Sequence, residues 1–171
     1  MKINVVLFEP EIPANTGNIM RTCVATNSRL HLIEPLGFKL DEKSLRRAGL
    51  DYLRDFHYQV YANWQDFIKN NQGVFVYITR YGKKTPHDFD FKGLKEDLYL
   101  VFGRETSGLP YELLHANLAN CIRLPMVPEA RSLNLANCVA IMVYHALGEL
   151  DYLDLCRNES IKGEDWIFED R

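Results

Sequence analysis

Residues 3–23, INVVLFEPEIPANTGNIMRTC, change period at Glu9. Residues 3–8 are almost continuously apolar, the pattern of a strand covered on both faces rather than on one. Two prolines, an asparagine, a threonine and a glycine then form a turn, and a helix-compatible segment, 16–27, follows. A strand that yields to a helix through so short a loop is the start of a β/α unit. The alternation recurs: apolar runs at 30–34, 74–79, 98–103 and 121–126 read as strands, and 41–48, 63–71, 109–118 and 133–150 as helices. In the last of these, Leu135, Val139, Met142, Val143, Ala146 and Leu147 repeat at helical spacing. The fold class is therefore α/β, a mostly parallel sheet with helices on both faces.

A chain of 171 residues with 47% hydrophobic composition suits one domain with a real core. The N-terminal apolar run is broken by Glu9 and Pro10, and no run approaches membrane-spanning length. A soluble, cytoplasmic protein is expected. Cys23, Cys121, Cys138 and Cys156 are far apart, with no CxxC pair and no histidine at ligand spacing, so neither a metal site nor a disulfide framework is expected. The net charge of −3 excludes a strongly basic coat protein, but the charge is uneven. Residues 149–171 hold eight acids and three bases, leaving fifteen acids and seventeen bases in the remainder. That slightly basic body can still meet a polyanion if its cations converge.

In an open α/β sheet, ligands bind beyond the carboxyl ends of the strands. Three loops there are unusual. In the first, Asn15 or Thr16 can cap the helix, and Arg21, six residues after Asn15, can face the same cleft. In the second, FGRETSGLP, Gly103 and Gly108 flank Glu105, and Pro110 suits a helix start. In the third, PMVPEARSLNLAN, Arg131, Ser132 and Asn134 stand at the entry of the long helix, with Ser132 the expected cap. No GxGxxG, GxxxxGK[ST] or GxSxG pattern is present, and His145 reads as a packed or surface residue rather than a catalytic one.

These three loops resemble, in order and content, the signature motifs of the SPOUT superfamily of RNA methyltransferases, and the match is close to its small YibK-like subfamily. The segment IEPLGFKLDEKSLRRAGLDY is similar to a further subfamily segment, and together the matches span most of residues 3–147. The resemblance implies a deep C-terminal trefoil knot, which local pattern does not show, and an obligate homodimer. It implies 2′-O-methylation of the wobble nucleotide of tRNA, a cytidine or a carboxymethylaminomethyl-uridine at position 34. The methyl donor would be S-adenosylmethionine, leaving S-adenosylhomocysteine, with no metal. Carried over, cofactor contacts fall at Tyr77, Ile78, Gly103, Leu124, Met126, Ser132 and Leu133. Asn15, Arg21, Glu105 and Asn134 fall at positions linked to substrate handling and catalysis.

A guanidinium does not give up its proton in a protein, so Arg21 is expected to grip phosphate rather than act as a base. Arg46, Arg47, Lys83, Lys84 and Arg131 are expected to contact the anticodon stem–loop. Residues 1–155 read as one methyltransferase domain and 156–171 as an acidic extension. A ribosomal RNA methyltransferase and a non-catalytic RNA-binding module are the rival readings.

Overall fold

A computed structural model describes residues 1–40, 58–153 and 155–168. The helix expected over 41–48, together with Arg46 and Arg47, lies outside the described residues. Among those described, six parallel strands form one sheet: β1 (Ile3–Phe8), β2 (Arg29–Ile33), β3 (Tyr58–Tyr61), β4 (Val74–Ile78), β5 (Leu98–Phe102) and β6 (Cys121–Ile122). Their order is β3-β2-β1-β5-β4-β6. β1 and β5 are central and every residue of both is buried, which is why they read as unbroken apolar runs.

Strand alternation divides the interior into two layers. Val5 and Leu7 of β1 face a cluster completed by Ile19 and Met20 of α1 (Pro13–Ala25) and by Val139, Met142, Val143 and Leu147 of α4 (Leu135–Glu149). Val6 and Phe8 face the other layer, where Phe67 of α2 (Trp64–Asn70) and Leu114 of α3 (Tyr111–His115) pack among Tyr61, Tyr77 and Tyr99. Helices thus cover both faces. Each large apolar side chain of α4 buried in this way contributes about 1.5–3 kcal/mol before entropy is counted.

The strand β3 was not among the expected ones. Only Tyr61 in it is buried, so it lacks the apolar run that marks the inner strands. The strand expected over 121–126 is two residues long. Beyond it the chain is held from two sides: the Thr79 N–H donates to the Ile122 carbonyl (2.9 Å), and the Arg123 N–H donates to the Lys84 carbonyl (2.8 Å). Ile122 pairs with Ile78 of β4 and also bridges Lys84. Residues 121–123 therefore run between the end of β4 and the returning arm of the 79–84 turn. From this edge the chain comes back to α4, which packs on α1 and β5.

Candidate active site

Parallel strands bring every following segment to one edge of the sheet. There, segments after β1, β4, β5 and β6 line a cavity of about 570 Å³. Its floor includes Gly103, where a Cβ would lie 2.1 Å from the Gly108 carbonyl carbon and 2.3 Å from the Leu109 nitrogen. Gly103 is thus required for the turn to fold back on itself, and Gly108 supplies the positive φ of 73° that closes it. Arg104 and Gly108 exchange backbone hydrogen bonds of 3.2 and 2.9 Å across the turn.

This turn is tied to the loop after β1 by carboxylates running in both directions. Glu105 Oε2 accepts from the Glu11 N–H (2.8 Å), and its Oε1 accepts from the Ile12 N–H (3.2 Å) and from Asn15 Nδ2 (3.0 Å). In return, Glu11 accepts from the Thr106 N–H (3.0 Å) and hydroxyl (2.8 Å). An Arg104–Glu9 ion pair adds a third tie. The expected cap of α1 is corrected here: Ile12, not Asn15 or Thr16, occupies the N-cap, without a side-chain cap bond, and Pro13 opens the helix. The carboxylate of Glu105, brought in from the second loop, lies against the N–H groups just ahead of the helix, where its charge suits the positive end of the helix dipole.

Asn15 is then free to link the other two loops. Its Oδ1 accepts from Asn134 Nδ2 at 2.9 Å, while Asn134 Oδ1 accepts from the Ala136 N–H (2.9 Å) and the Asn137 N–H (3.3 Å). Asn134, not the expected Ser132, is therefore the N-cap of α4, because α4 starts at Leu135 and Ser132 lies ahead of it. Backbone donors at one end of this chain and a carboxylate at the other fix both amide orientations. One hydrogen-bonded chain, Glu105–Asn15–Asn134, joins residues 90 and 119 positions apart.

Ile78, Gly103, Leu124, Met126, Arg131, Ser132 and Leu133 all line the cavity, as do Asn15, Glu105 and Asn134. Tyr77 does not: alternation turns its side chain into the opposite layer, against Trp64, where burial and then the neighbouring Cys121 push its hydroxyl up to about 12. Arg21 is exposed and outside the lining. Six helical residues turn about 600°, so Arg21 and Asn15 point about 120° apart rather than into one cleft. Lys83 and Lys84 are exposed, and the Lys84 ammonium donates to the Ala119 carbonyl at 2.8 Å.

Sequence reasoning missed Arg80, Tyr81 and Arg123, which also line the cavity; the basic RYGKK run after β4 was a signal for the first two, and Arg123 had none. With Arg104 paired to Glu9, the lining still carries Arg80, Arg123 and Arg131 against the single carboxylate of Glu105, a surplus of positive charge that suits an anionic group such as a phosphate. Burial raises the pKa of the cavity's Cys138 thiol, which disfavours the thiolate. Among the described residues, no three His, Cys, Asp or Glu side chains form a metal-holding group, and no helix is long and apolar enough to cross a membrane.

The SpoU rRNA Methylase family model matches residues 2–144. A tRNA (cytidine(34)-2′-O)-methyltransferase of Saccharophagus degradans is 50% identical over 151 residues, covering 87% of this chain and 96% of the relative. A solved structure described as giving insight into 2-OH methylation of C/U34 on tRNA superposes with a TM-score of 0.79 at 36% identity, over 88% of this chain and 97% of the other. An AdoMet-bound rRNA methyltransferase of Sinorhizobium meliloti is similar at 27% identity and a TM-score of 0.74, over 87% of this chain and 57% of that one.

Proposed function

The chain belongs to the SpoU rRNA methylase family, and from that premise we propose that it is a tRNA ribose 2′-O-methyltransferase acting on the wobble nucleotide, position 34. The observation that carries this reading is the hydrogen-bonded chain Glu105–Asn15–Asn134, which gathers three separate loops at the rim of one positively lined cavity.

The cavity fits S-adenosylmethionine. It joins apolar walls, Ile78, Leu124, Met126 and Leu133, to a backbone floor at Gly103 that leaves no room for a side chain. When bound, the cofactor supplies a methyl group activated by a sulfonium centre. The residues of the chain then have three tasks. Those at the cavity hold the ribose 2′ oxygen in line with that methyl, an arrangement worth about 7–11 kcal/mol in a well-oriented pair. The Glu105–Asn15–Asn134 chain keeps the loops in register. Arg21 grips a substrate phosphate and stabilises charge growing on the 2′ oxygen, while the hydroxyl proton passes to a phosphate oxygen or a water.

Residues 121–123, clasped between β4 and the 79–84 turn, support a trefoil knot made as the chain returns to α4. Val24 of α1, with Ile141 and Tyr144 of α4, supports a homodimer: all three are exposed and apolar, and the two helices pack together. Arg21 stands three residues from Val24 on the same helical face, and in this reading it serves RNA held at the cavity of the partner copy. Residues 1–155 form the methyltransferase domain in this reading and 156–171 an acidic extension, and the reaction is cytoplasmic.

Incubating the protein with bulk tRNA and methyl-labelled S-adenosylmethionine should yield labelled 2′-O-methylcytidine and a labelled modified uridine on nucleoside analysis. Recovery of no labelled 2′-O-methyl nucleoside would overturn the reading. Arg21→Lys should lower turnover at least tenfold, and near-normal turnover would remove the bidentate phosphate grip.

A further inference from the structure

The tyrosine ring at the mouth of the cavity has no role in the fold. Tyr81 lines the cavity yet is 72% exposed. Its exposure does not come from a loose backbone. The Tyr81 N–H donates to the Thr79 hydroxyl (3.3 Å), the Gly82 N–H donates to the Thr79 carbonyl (3.4 Å), and the turn is pinned at both ends through Ile122 and Arg123. Arg80 places its guanidinium carbon 5.7 Å from the ring centroid, covering one face in a cation–π arrangement and leaving the other to solvent. Arg123 and Arg131 line the same cavity.

A ribose hydroxyl in a stacked anticodon loop reaches a methyl donor in a cleft only if its nucleotide leaves the stack, and the base then needs a new surface. We propose that Tyr81 is that surface: the base of the target nucleotide stacks on the open face of its ring, with Arg80 behind it and the cavity's arginines on the flanking phosphates. This inference rests on the reading of the chain as a wobble-nucleotide methyltransferase. It also explains how one site accepts two bases. Stacking reads a π face rather than a hydrogen-bonding edge, so cytidine and uridine are held alike.

The test compares the wild-type chain with Tyr81→Ala and Tyr81→Phe on an anticodon stem–loop carrying fluorescent pyrrolocytidine at the wobble position. Stacking predicts quenching on binding to the wild type and to Tyr81→Phe, and its loss in Tyr81→Ala. Base–aromatic stacking is worth about tenfold or more in affinity, so Tyr81→Ala should raise the KM for tRNA by about tenfold with kcat nearly unchanged. Affinity for S-adenosylhomocysteine should not move. Equal quenching and KM in Tyr81→Ala would overturn the proposal, as would a matching loss of S-adenosylhomocysteine affinity, which would assign the ring to the cofactor pocket. If the wild type methylates tRNA without quenching the probe, the stacking proposal fails while the activity stands. If it methylates no tRNA, the activity itself fails.

Discussion

Two side-chain hydrogen-bond networks among the described residues lie in different surroundings, one at the sheet edge and one in the core. One is the Glu105–Asn15–Asn134 chain at the carboxyl edge, open to the cavity and joining three loops. The other is sealed inside the layer opposite α1. There His31 Nδ1 lies 3.0 Å from the Tyr61 hydroxyl and Nε2 lies 3.1 Å from Asn4 Oδ1, while Asn71 Nδ2 reaches the same hydroxyl at 3.1 Å. Rings of Phe67 and Tyr99 pack on the imidazole at centroid distances of 5.5 and 5.7 Å. The sealed network spans neighbouring strands whose register is already set by the backbone, so it satisfies polar groups in a core. The open one joins loops that no backbone ladder aligns, so its side chains set where those loops stand. Asparagine amides serve in both, holding a core together in one place and setting the loops at the cavity in the other.

If that contrast is right, damage to the open network should cost turnover and damage to the sealed one should cost stability. The largest effect is expected from Glu105→Ala, which strands the Glu11 and Ile12 N–H groups and the Asn15 amide. Misplaced loops should lower kcat/KM by about a hundredfold. The lost charge-assisted bonds should cost about 2–3 kcal/mol in denaturant unfolding. Normal activity in this variant would break the comparison.

The sealed network predicts an acid sensitivity of comparable size. Burial, and then the charge of Arg29, lower the His31 pKa from 6.5 to about 4. The unfolded chain therefore binds more protons between these values, so stability is complete above pH 6.5 and falls as pH drops towards 4, by about 3 kcal/mol from this group. His31→Gln should flatten that part of the stability–pH curve and leave methyl transfer at neutral pH unchanged. The smallest effect sharpens the comparison. Asn134→Asp keeps the oxygen that caps α4 but loses the donor to Asn15, so unfolding should change by less than about 1 kcal/mol while turnover falls about tenfold. A loss confined to stability would move Asn134 into the structural class.

The inner strands were legible because burial on both faces leaves runs such as INVVLF and LYLVF that few other elements imitate. The stripe of α4 was legible for the same reason at helical period. The edge strand β3 was not, since a strand with one buried residue carries no apolar period. Both helix caps were misplaced. Asn15, Thr16 and Ser132 are good local caps, but Asn15 is engaged by Glu105 and Asn134, and a helix start is decided by whichever acceptor arrives, near in sequence or far. Tyr81, Arg80 and Arg123 were missed because even a basic run such as RYGKK does not tell a cavity mouth from an ordinary charged turn.

By itself, the sequence determined the α/β class, the inner strands, the long helix and the three loops that line the cavity, because apolar period, proline, glycine and short polar side chains act within a few residues. Only the tertiary structure decided how those loops meet. The reciprocal carboxylates of Glu11 and Glu105, the amide relay from Asn15 to Asn134 and the passage of residues 121–123 beside the 79–84 turn join positions 38 to 119 residues apart. Contacts at such separation depend on the parallel sheet that brings the strand ends together, and no local pattern encodes them.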